Sequence, residues 1–595
     1  MSKKNSKNIV FLLNALWIKI NTKRKRKIIY LIFIILLSSF SEIISLSSVI
    51  PFIGFLTSPE YFLDNIFPRY LSLNLNSIDN FSLLVGITSI LILSAFLSGF
   101  LKVYTQWEIR KLAANLGSDF SIDLYRKLLY QPYTYHINVE SSDILSVLTA
   151  DISDLINLLI TPLLTLIASS FIASGLIISL LIINGNLSLI TFFIIFLIYF
   201  IALRLSSNSL LKLGYQKVYL RSSFIKNIQE AMGSIREIIL DNNHEFYVNI
   251  HKSLDKPLRK VIAKIAILSI IPKSLVDPAG ISIIAIIGLF LALNGDINNS
   301  LPFLGAIVLG AQKLIPHFQN IYQSWTSIKG SKAILEKVVI LLNNKTPKKL
   351  TRKRIKPLQI KEDIKFKKVN FIYKSNTRPI LANLNLTIRK GEKVGIIGKT
   401  GSGKSTIVDL LMGLLEPLSG EILIDNLNIN DPINSSLLAS WRVSIAHVPQ
   451  NVFLINATIA ENIAFGIPKN EINMAKLKKV CEQALLSNFI ENTEGGYFSK
   501  TGERGIKLSG GQCQRIGIAR ALYKESNILV LDEATSALDN QTEALIIKSL
   551  ENIDREITLI FIAHRYSSLK NCDRIIEIKN GKVESEGSFE SFTSN

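Results

Sequence analysis

Val394-Gly395-Ile396-Ile397 runs directly into Gly398-Lys399-Thr400-Gly401-Ser402-Gly403-Lys404-Ser405-Thr406, and Ile407-Val408-Asp409-Leu410-Leu411 follows. The order is short apolar strand, glycine-rich loop, helix, which is the setting a phosphate-binding loop requires. The glycines let backbone N–H groups curl around phosphate oxygens. Lys404 is placed to reach the β- and γ-phosphates, and Ser405 to hold Mg²⁺.

A second apolar strand, Ile528-Leu529-Val530-Leu531, ends in Asp532 and Glu533. Asp532 suits the Mg²⁺-side carboxylate of a P-loop ATPase. Glu533 is the candidate to orient or deprotonate the attacking water, the alternative being a solvated glutamate at a helix start. Between the strands, about 105 residues after the loop, stands Leu508-Ser509-Gly510-Gly511-Gln512. A Ser-Gly-Gly turn ahead of a helix can offer amides and a hydroxyl to phosphate. Positioned water plus electrostatic stabilisation accounts for these residue types without a covalent phosphoenzyme.

The first half of the 595-residue chain has a different character. Long apolar runs fill roughly residues 28–340 and predict six membrane spans, near 28–56, 81–101, 157–183, 187–204, 263–294 and 302–325. The fifth contains Pro272 and Pro278, so a kink or a later start is expected. The first run is too long for a signal peptide and lacks a small-residue cleavage site, so it reads as an anchor. These runs exclude a wholly soluble protein, a disordered chain and a small disulfide scaffold. Cys481, Cys513 and Cys572 show no metal-ligand spacing.

Lys and Arg number 67 against 46 Asp and Glu, a formal charge of +21. Beside membrane spans this favours anionic headgroups over nucleic acid. With the N-terminus inside, Arg69 is the one basic residue of the outer loops, whereas the inner segments carry many. That is the positive-inside pattern, and it places the C-terminal domain in the cytoplasm. The two inner connections, about fifty residues each, are periodic rather than rich in Gly and Pro. They predict membrane helices that continue into the cytoplasm, broken near Gln131-Pro132-Tyr133 and Met232-Gly233-Ser234, or else two ordinary helical hairpins. The expected organisation is a basic N-terminus (1–27), a six-helix all-α membrane domain (28–340), a basic linker (341–361) and an α/β P-loop ATPase domain with a helical subdomain (362–595).

Glu42, Asp277 and Lys313 fall within the spans. An ionised group facing lipid is costly, so each is expected against a partner helix or an aqueous path. Glu42 and Lys313 are the candidate substrate residues, Lys313 for an anionic group; a structural ion pair is the competing reading.

Taken together, the chain resembles an ATP-binding cassette exporter, as a half-transporter with the membrane domain first. The resemblance rests on Gly398 to Thr406, Gln450, Leu508 to Gln512, Leu531-Asp532-Glu533, Ser536-Ala537-Leu538-Asp539 and His564. It implies two cassettes closing head to tail around two ATP, each P-loop facing Ser509, Gly510 and Gly511 of the other subunit. It further implies that Gln450 senses γ-phosphate and metal, that Tyr373 stacks on adenine, and that His564 holds γ-phosphate. Thr501-Gly502-Glu503-Arg504-Gly505 resembles the segment that contacts membrane-domain coupling helices. A homodimer with ATP and Mg²⁺ is the economical expectation, with a heterodimer open.

Glu42 to Ile53 is similar to the opening of the lipid-linked oligosaccharide flippase subgroup. The outer loop around Pro59 to Leu75 resembles that subgroup's short external helix. Lys313-Leu314-Ile315-Pro316 resembles its basic-residue-then-proline pattern, where arginine is more usual, so a cation remains but bidentate geometry is lost. The implied cargo is an amphipathic lipid-linked glycan or glycolipid. A general lipid or multidrug exporter is the alternative. A peptidase-containing peptide exporter is disfavoured, because no Cys/His peptidase-like arrangement precedes the first span, and a peptide exporter of another kind is the second alternative. Six spans in the same chain argue against a DNA-maintenance role. The one-chain layout without a targeting peptide fits a bacterial inner membrane.

Overall fold

The computed structural model describes residues 8–57, 80–183, 185–293, 297–344, 355–373, 378–431, 435–535, 538–551, 556–563 and 566–593. Contacts divide the chain into a helical unit, holding most of residues 8–344, and a second unit from 355 onward.

The helical unit begins with α1 (Ile9–Lys19), α2 (Thr22–Ser47) and α3 (Val49–Thr57). Helix α4 (Asn80–Leu129) and the short α5 (Tyr133–Asn138) follow. A continuous rod, α6, joins Ser141–Ser146 to Thr161–Ile183 through two π-helical stretches, Val147–Asp151 and Leu155–Ile160. Then come α7 (Gly185–Gly233), α8 (Ile235–Leu240), α9 (His244–Leu293), α10 (Ile297–Gly330) and α11 (Lys332–Asn343). Among the described residues, four stretches are long and apolar enough to cross a membrane: Thr22–Leu56, Phe81–Leu129, Ser141–Ile182 and Phe192–Gly233. Helices α9 and α10 carry the fifth and sixth expected spans.

A 50-residue helix such as α4 is about 75 Å long at 1.5 Å per residue, against an apolar core of about 30 Å. More than half its length therefore lies beyond the apolar core, as the periodic inner segments predict. The rods stop where expected: α4 ends two residues before Gln131-Pro132-Tyr133, and α7 ends at Gly233. The ends of the long rods, joined through the short α5 and α8, make the inner connections in place of separate hairpins. Helix α10 packs against α6, α7 and α9, while α2 packs against α4 and α6. At the crossing of α7 and α10, a Cβ on Gly214 would lie 2.2 Å from the Gly330 carbonyl oxygen, so only glycine permits that approach.

The fifth span does not start after its prolines, the later start that the sequence allowed. Helix α9 runs unbroken through Pro257, Pro272 and Pro278. Pro272 has no N–H for the carbonyl four residues back, Leu268. The Tyr322 hydroxyl of α10 donates to that carbonyl at 2.8 Å, and Gln319 Nε2 donates to the next one, Ser269, at 3.2 Å. A neighbouring helix thus supplies the donor that proline withholds, which is how prolines are tolerated at membrane depth.

The second unit holds two sheets. An antiparallel sheet has strand order β2-β1-β4-β5, from β1 (Asp363–Phe371), β2 (Leu381–Arg389), β4 (Ser419–Ile424) and β5 (Leu427–Asn428). The other has order β10-β9-β3-β8-β7-β6. Its members are β3 (Lys393–Ile397), β6 (Ile445–Val448), β7 (Ile528–Asp532), β8 (Thr558–Ile562), β9 (Arg574–Lys579) and β10 (Lys582–Gly587). The neighbours from β9 through β6 are parallel, and β10 closes an antiparallel hairpin. Their near-continuous apolar sequences suit strands buried on both faces.

Helix α12 (Lys404–Leu411) lies in the core between the two sheets, with Ile407 and Leu410 packed against Phe366, Ile560 and Ile576. Trp441, on α13 (Ser435–Val443), is fully buried and donates from Nε1 to the Leu411 carbonyl at 2.6 Å. The other face of the large sheet packs against a helical subdomain of α14 (Ile459–Ile463), α15 (Met474–Gln483) and α16 (Gly510–Tyr523). Helix α17 (Asn540–Glu551) follows β7.

Candidate functional site

Parallel order brings the carboxyl ends of β3, β8, β7 and β6 to one edge of the sheet. Each candidate nucleotide residue of the core lies just past one of these ends. The P-loop follows β3, Asp532 and Glu533 end β7, and Gln450 follows β6 by two residues. Open α/β sheets bind ligands in this crevice.

The loop's shape explains its glycines. Gly398, Gly401 and Gly403 hold φ of +149°, +81° and +107°. A Cβ on Gly398 would lie 2.3 Å from the Ile578 carbonyl oxygen, whereas one on Gly401 would meet nothing within 4 Å. Gly398 is therefore fixed by packing, and Gly401 by backbone conformation at an open mouth. Ser402 Oγ is buried without a hydrogen-bond partner among the described residues. Lys404 is buried, and its Nζ donates to the carbonyls of Gly398 (2.6 Å) and Lys399 (3.2 Å). Burial pushes its ammonium pKa down, while Glu533 and Asp532 pull it up. An ammonium held only by carbonyls in a loop with an orphaned hydroxyl fits a phosphate ligand. Lys399, Thr400 and Ser405 are exposed around the mouth.

Glu533 and Gln450, 83 residues apart, are in direct contact: Gln450 Nε2 donates to Glu533 Oε2 at 2.8 Å. Glu533 holds a left-handed φ of 48°, and its N–H donates to the Ile562 carbonyl at 3.0 Å. A strained non-glycine backbone here fixes where the carboxylate points. Ser405 and Asp532 offer the hydroxyl and carboxylate a phosphate-bound Mg²⁺ would take. Among the described residues no group of three or more His, Cys, Asp and Glu could hold a metal. One group escaped the sequence reading. Asp409, on α12, is half-buried, and that burial plus the Asp532 charge push its carboxyl up to about 6.

Ser509-Gly510-Gly511-Gln512 opens α16. Ser509 Oγ accepts the Gln512 N–H at 3.3 Å, and Gln512 Oε1 accepts the Ser509 N–H at 2.9 Å. This capping box commits the Gln512 side chain to the helix start and leaves exposed Gly510 to present its amide. Tyr373 stands beside the P-loop helix, its hydroxyl 3.4 Å from Thr406 Oγ1. Asp539 caps α17 by accepting the Thr542 N–H at 2.9 Å. In the loop before α16, Gly502, Arg504 and Gly505 all hold positive φ, and Ile506 is 83% exposed. Ser536, Ala537, His564, the loop from Pro59 to Leu75 and most of the basic linker lie outside the described residues.

In the helical unit, Glu42 and Lys313 come together. Glu42 on α2 is 4% exposed. Its Oε2 lies 3.5 Å from Lys313 Nζ on α10, and its Oε1 lies 3.8 Å from Lys102 Nζ on α4. Lys313 also donates to Ser45 Oγ at 3.0 Å. One turn along α10, His317 is buried with neither ring nitrogen hydrogen-bonded among the described residues. The competing ion-pair reading is thus present in the geometry, yet one carboxylate serves two ammonium groups. Lys102, at the expected end of the second span, was missed as a third member. Asp277 lies on an exposed part of α9 and does not join the cluster.

A P-loop ATPase whose helical partner unit is long and apolar enough to cross a membrane is a membrane-embedded ATPase. Two family profiles match, the ABC transporter transmembrane region over residues 18–308 and the ABC transporter over 381–536. The chain belongs to the ABC transporters, with a transmembrane domain and an ATPase domain in one polypeptide. The ATP-dependent lipid A-core flippase of Cupriavidus pinatubonensis is 29% identical over 516 residues, covering 86% of this chain and 84% of that one. The alpha-hemolysin translocation ATP-binding protein HlyB of Escherichia coli O157:H7 is 39% identical over 303 residues, covering 50% of this chain and 41% of that one. A solved bacterial Atm1-family ABC exporter with ATP bound superposes with a TM-score of 0.79 at 20% identity, over 96% of this chain and 97% of that one.

Proposed function

We propose that this transporter uses ATP hydrolysis to flip or export an amphipathic lipid whose headgroup carries phosphate and sugars. The observation that carries the reading is the Glu42–Lys102–Lys313 cluster. Three different helices place two ammonium groups on one buried carboxylate, leaving unit positive charge at membrane depth. Such a charge is costly unless an anion offsets it. A lipid phosphate meets that need while its acyl chains stay in the bilayer. The flippase relatives, named for lipid A-core, point to a phosphoglycolipid of the same class.

In this account two copies of the chain pair, and each P-loop faces Ser509, Gly510 and Gly511 of its partner. ATP and Mg²⁺ lie between Lys404, Ser405 and Asp532. Glu533 takes the proton of the attacking water, and Gln450 holds its carboxylate in place. His564 reaches the γ-phosphate, and Tyr373 stacks on adenine. The membrane is a bacterial inner membrane, with the ATPase domain in the cytoplasm.

The test is lipid-stimulated ATPase of the purified transporter. A lipid-linked oligosaccharide or lipid A-type glycolipid should stimulate turnover, and Lys313→Ala should lower the stimulation more than the basal rate. Stimulation by uncharged lipid alone, or equal loss of both rates in Lys313→Ala, would contradict the reading.

A further inference from the structure

A cavity opens in the ATPase unit at the amino ends of β6, β7 and β8, the edge of the sheet opposite the P-loop. Strands of five residues set the two edges about 15 Å apart. The cavity holds about 610 Å³, a size that suits a small organic ligand. The ATP chemistry described above makes no use of it.

Three parts of the chain build it. Helix α15 of the helical subdomain gives Lys476, Lys479, Val480 and Gln483. The end of α16 and the loop after it give Leu522, Glu525, Ser526 and Asn527. The third wall is Gln359 to Lys361, where the chain enters β1. That wall is fixed in place. Asp425 accepts the N–H groups of Lys361 and Glu362, each at 2.8 Å, and Asn527 Nδ2 donates to the Leu358 carbonyl at 3.0 Å. A pre-formed wall lowers the ordering cost of binding.

Four lysines line the cavity, Lys361, Lys390, Lys476 and Lys479, against two glutamates, Glu525 and Glu556, for a formal charge of +2. Lys476 pairs with Glu525 at 2.8 Å, and Lys390 with Glu556 at 3.3 Å. Lys361 and Lys479, on two different walls, have no carboxylate partner among the described residues. Ala446, Val480, Leu522 and Ile557 add apolar surface. Ser526 is buried, and its Oγ has no hydrogen-bond partner among the described residues. A buried hydroxyl calls for a partner, and a ligand oxygen would supply one. A phosphate monoester carries about −1.5 to −2 charge at pH 7 and three acceptor oxygens. It matches the surplus charge, and an apolar body matches the rest of the lining.

We infer that this cavity binds a small phosphate monoester with an apolar body, and that the bound ligand slows ATP turnover by tying the helical subdomain to the sheet. Helix α16, 14 residues and about 21 Å long, runs from the cavity wall to Ser509–Gln512 at its other end. In the ATP cycle proposed above, that end closes on nucleotide and opens again in each turnover. A ligand held across α15, the end of α16 and the sheet restrains the movement. The effect on turnover rests on that cycle; the site itself depends neither on it nor on the cargo.

The test uses the full-length transporter, with excess adenylyl imidodiphosphate and Mg²⁺ filling the ATP sites. Fluorescence anisotropy follows the N-methylanthraniloyl esters of AMP and of adenosine, which share an apolar body and differ by the phosphate. The AMP ester should bind saturably, and at least about tenfold more tightly than the adenosine ester, the worth of one charge-assisted hydrogen bond. Lys361→Gln/Lys479→Gln should bring the two esters to equal affinity. No saturable binding of the AMP ester below about 1 mM, equal affinities in the wild type, or an undiminished preference in the double variant would overturn the site. For turnover, unlabelled AMP at saturating ATP should lower the maximal rate of the wild type without raising its KM for ATP. It should leave the double variant, whose basal rate is unchanged, untouched. A raised KM alone would place AMP at the P-loop and overturn the inference, as would an unaltered maximal rate with the cavity filled. Basal turnover in the same assay tests the proposed cycle separately.

Discussion

Tyr322→Phe deletes one oxygen from the helical unit and should expose the cost of Pro272. That hydroxyl is buried, donates to the Leu268 carbonyl at 2.8 Å and lies 3.0 Å from Ser206 Oγ. Without it, the Leu268 carbonyl has neither its helical donor nor the borrowed one. A buried polar group left unsatisfied costs about 1–3 kcal/mol. Side-chain hydrogen bonds inside membrane proteins average about 0.6 kcal/mol and reach about 1.7. The expected loss is therefore about 1–2 kcal/mol, a fall of a few degrees in apparent melting temperature. Pro272→Ala restores the backbone N–H, so Tyr322→Phe should cost only the Ser206 contact in that background. The double-mutant cycle should show a coupling of about 1 kcal/mol. Melting of the purified transporter at one fixed heating rate, with all four proteins side by side, measures it. Equal losses in both backgrounds would refute the claim that α10 repairs α9.

Three further outcomes follow from the two sites. Glu533→Gln should slow steady-state ATP turnover by at least about 100-fold, the lower end of general-base effects, while binding ATP normally. Its amide oxygen still accepts from Gln450, so near-normal turnover would remove Glu533 from the chemistry. Asp409 has its folded pKa raised from 3.8 to about 6, so its contribution is most favourable at low pH and is lost as pH rises through 6. Asp409→Asn should then raise nucleotide-free melting at pH 7.5 by the equivalent of about 1–3 kcal/mol, with a smaller gain at pH 5. A lowered melting temperature at pH 7.5 would contradict the burial argument. Glu42→Gln uncovers two ammonium groups and should lower melting in uncharged detergent. Added phosphoglycolipid should then stabilise this variant more than wild type, which a lipid titration followed by melting can check.

The ATPase half was legible because its chemistry is contiguous. Gly398 to Ser405 is one loop, and the Ser509–Gln512 turn spans four residues, so spacing alone carried both. The lengths of α4 and α7 were legible from periodic inner segments, and their ends from Pro132 and Gly233. What the sequence withheld lies in long-range pairings. Pro272 announces a missing N–H, but nothing local says that Tyr322, fifty residues on, supplies a donor. Glu42 and Lys313 each stood out as charges in apolar runs. Their partnership, 271 residues apart, and the part played by Lys102 required the packing of three helices. Asp409 looked like an ordinary polar position on α12, and only the fold half-buries it within reach of the Asp532 charge.

The most direct measurement of the central claim is ATP-dependent translocation in proteoliposomes. It would compare a labelled polyprenyl-pyrophosphate oligosaccharide and a lipid A-type glycolipid with an ordinary labelled phospholipid, using Glu533→Gln as the control. The account predicts preferential movement of a phosphoglycolipid that ceases in the control. Movement of the phospholipid alone, or movement that persists in Glu533→Gln, would contradict it.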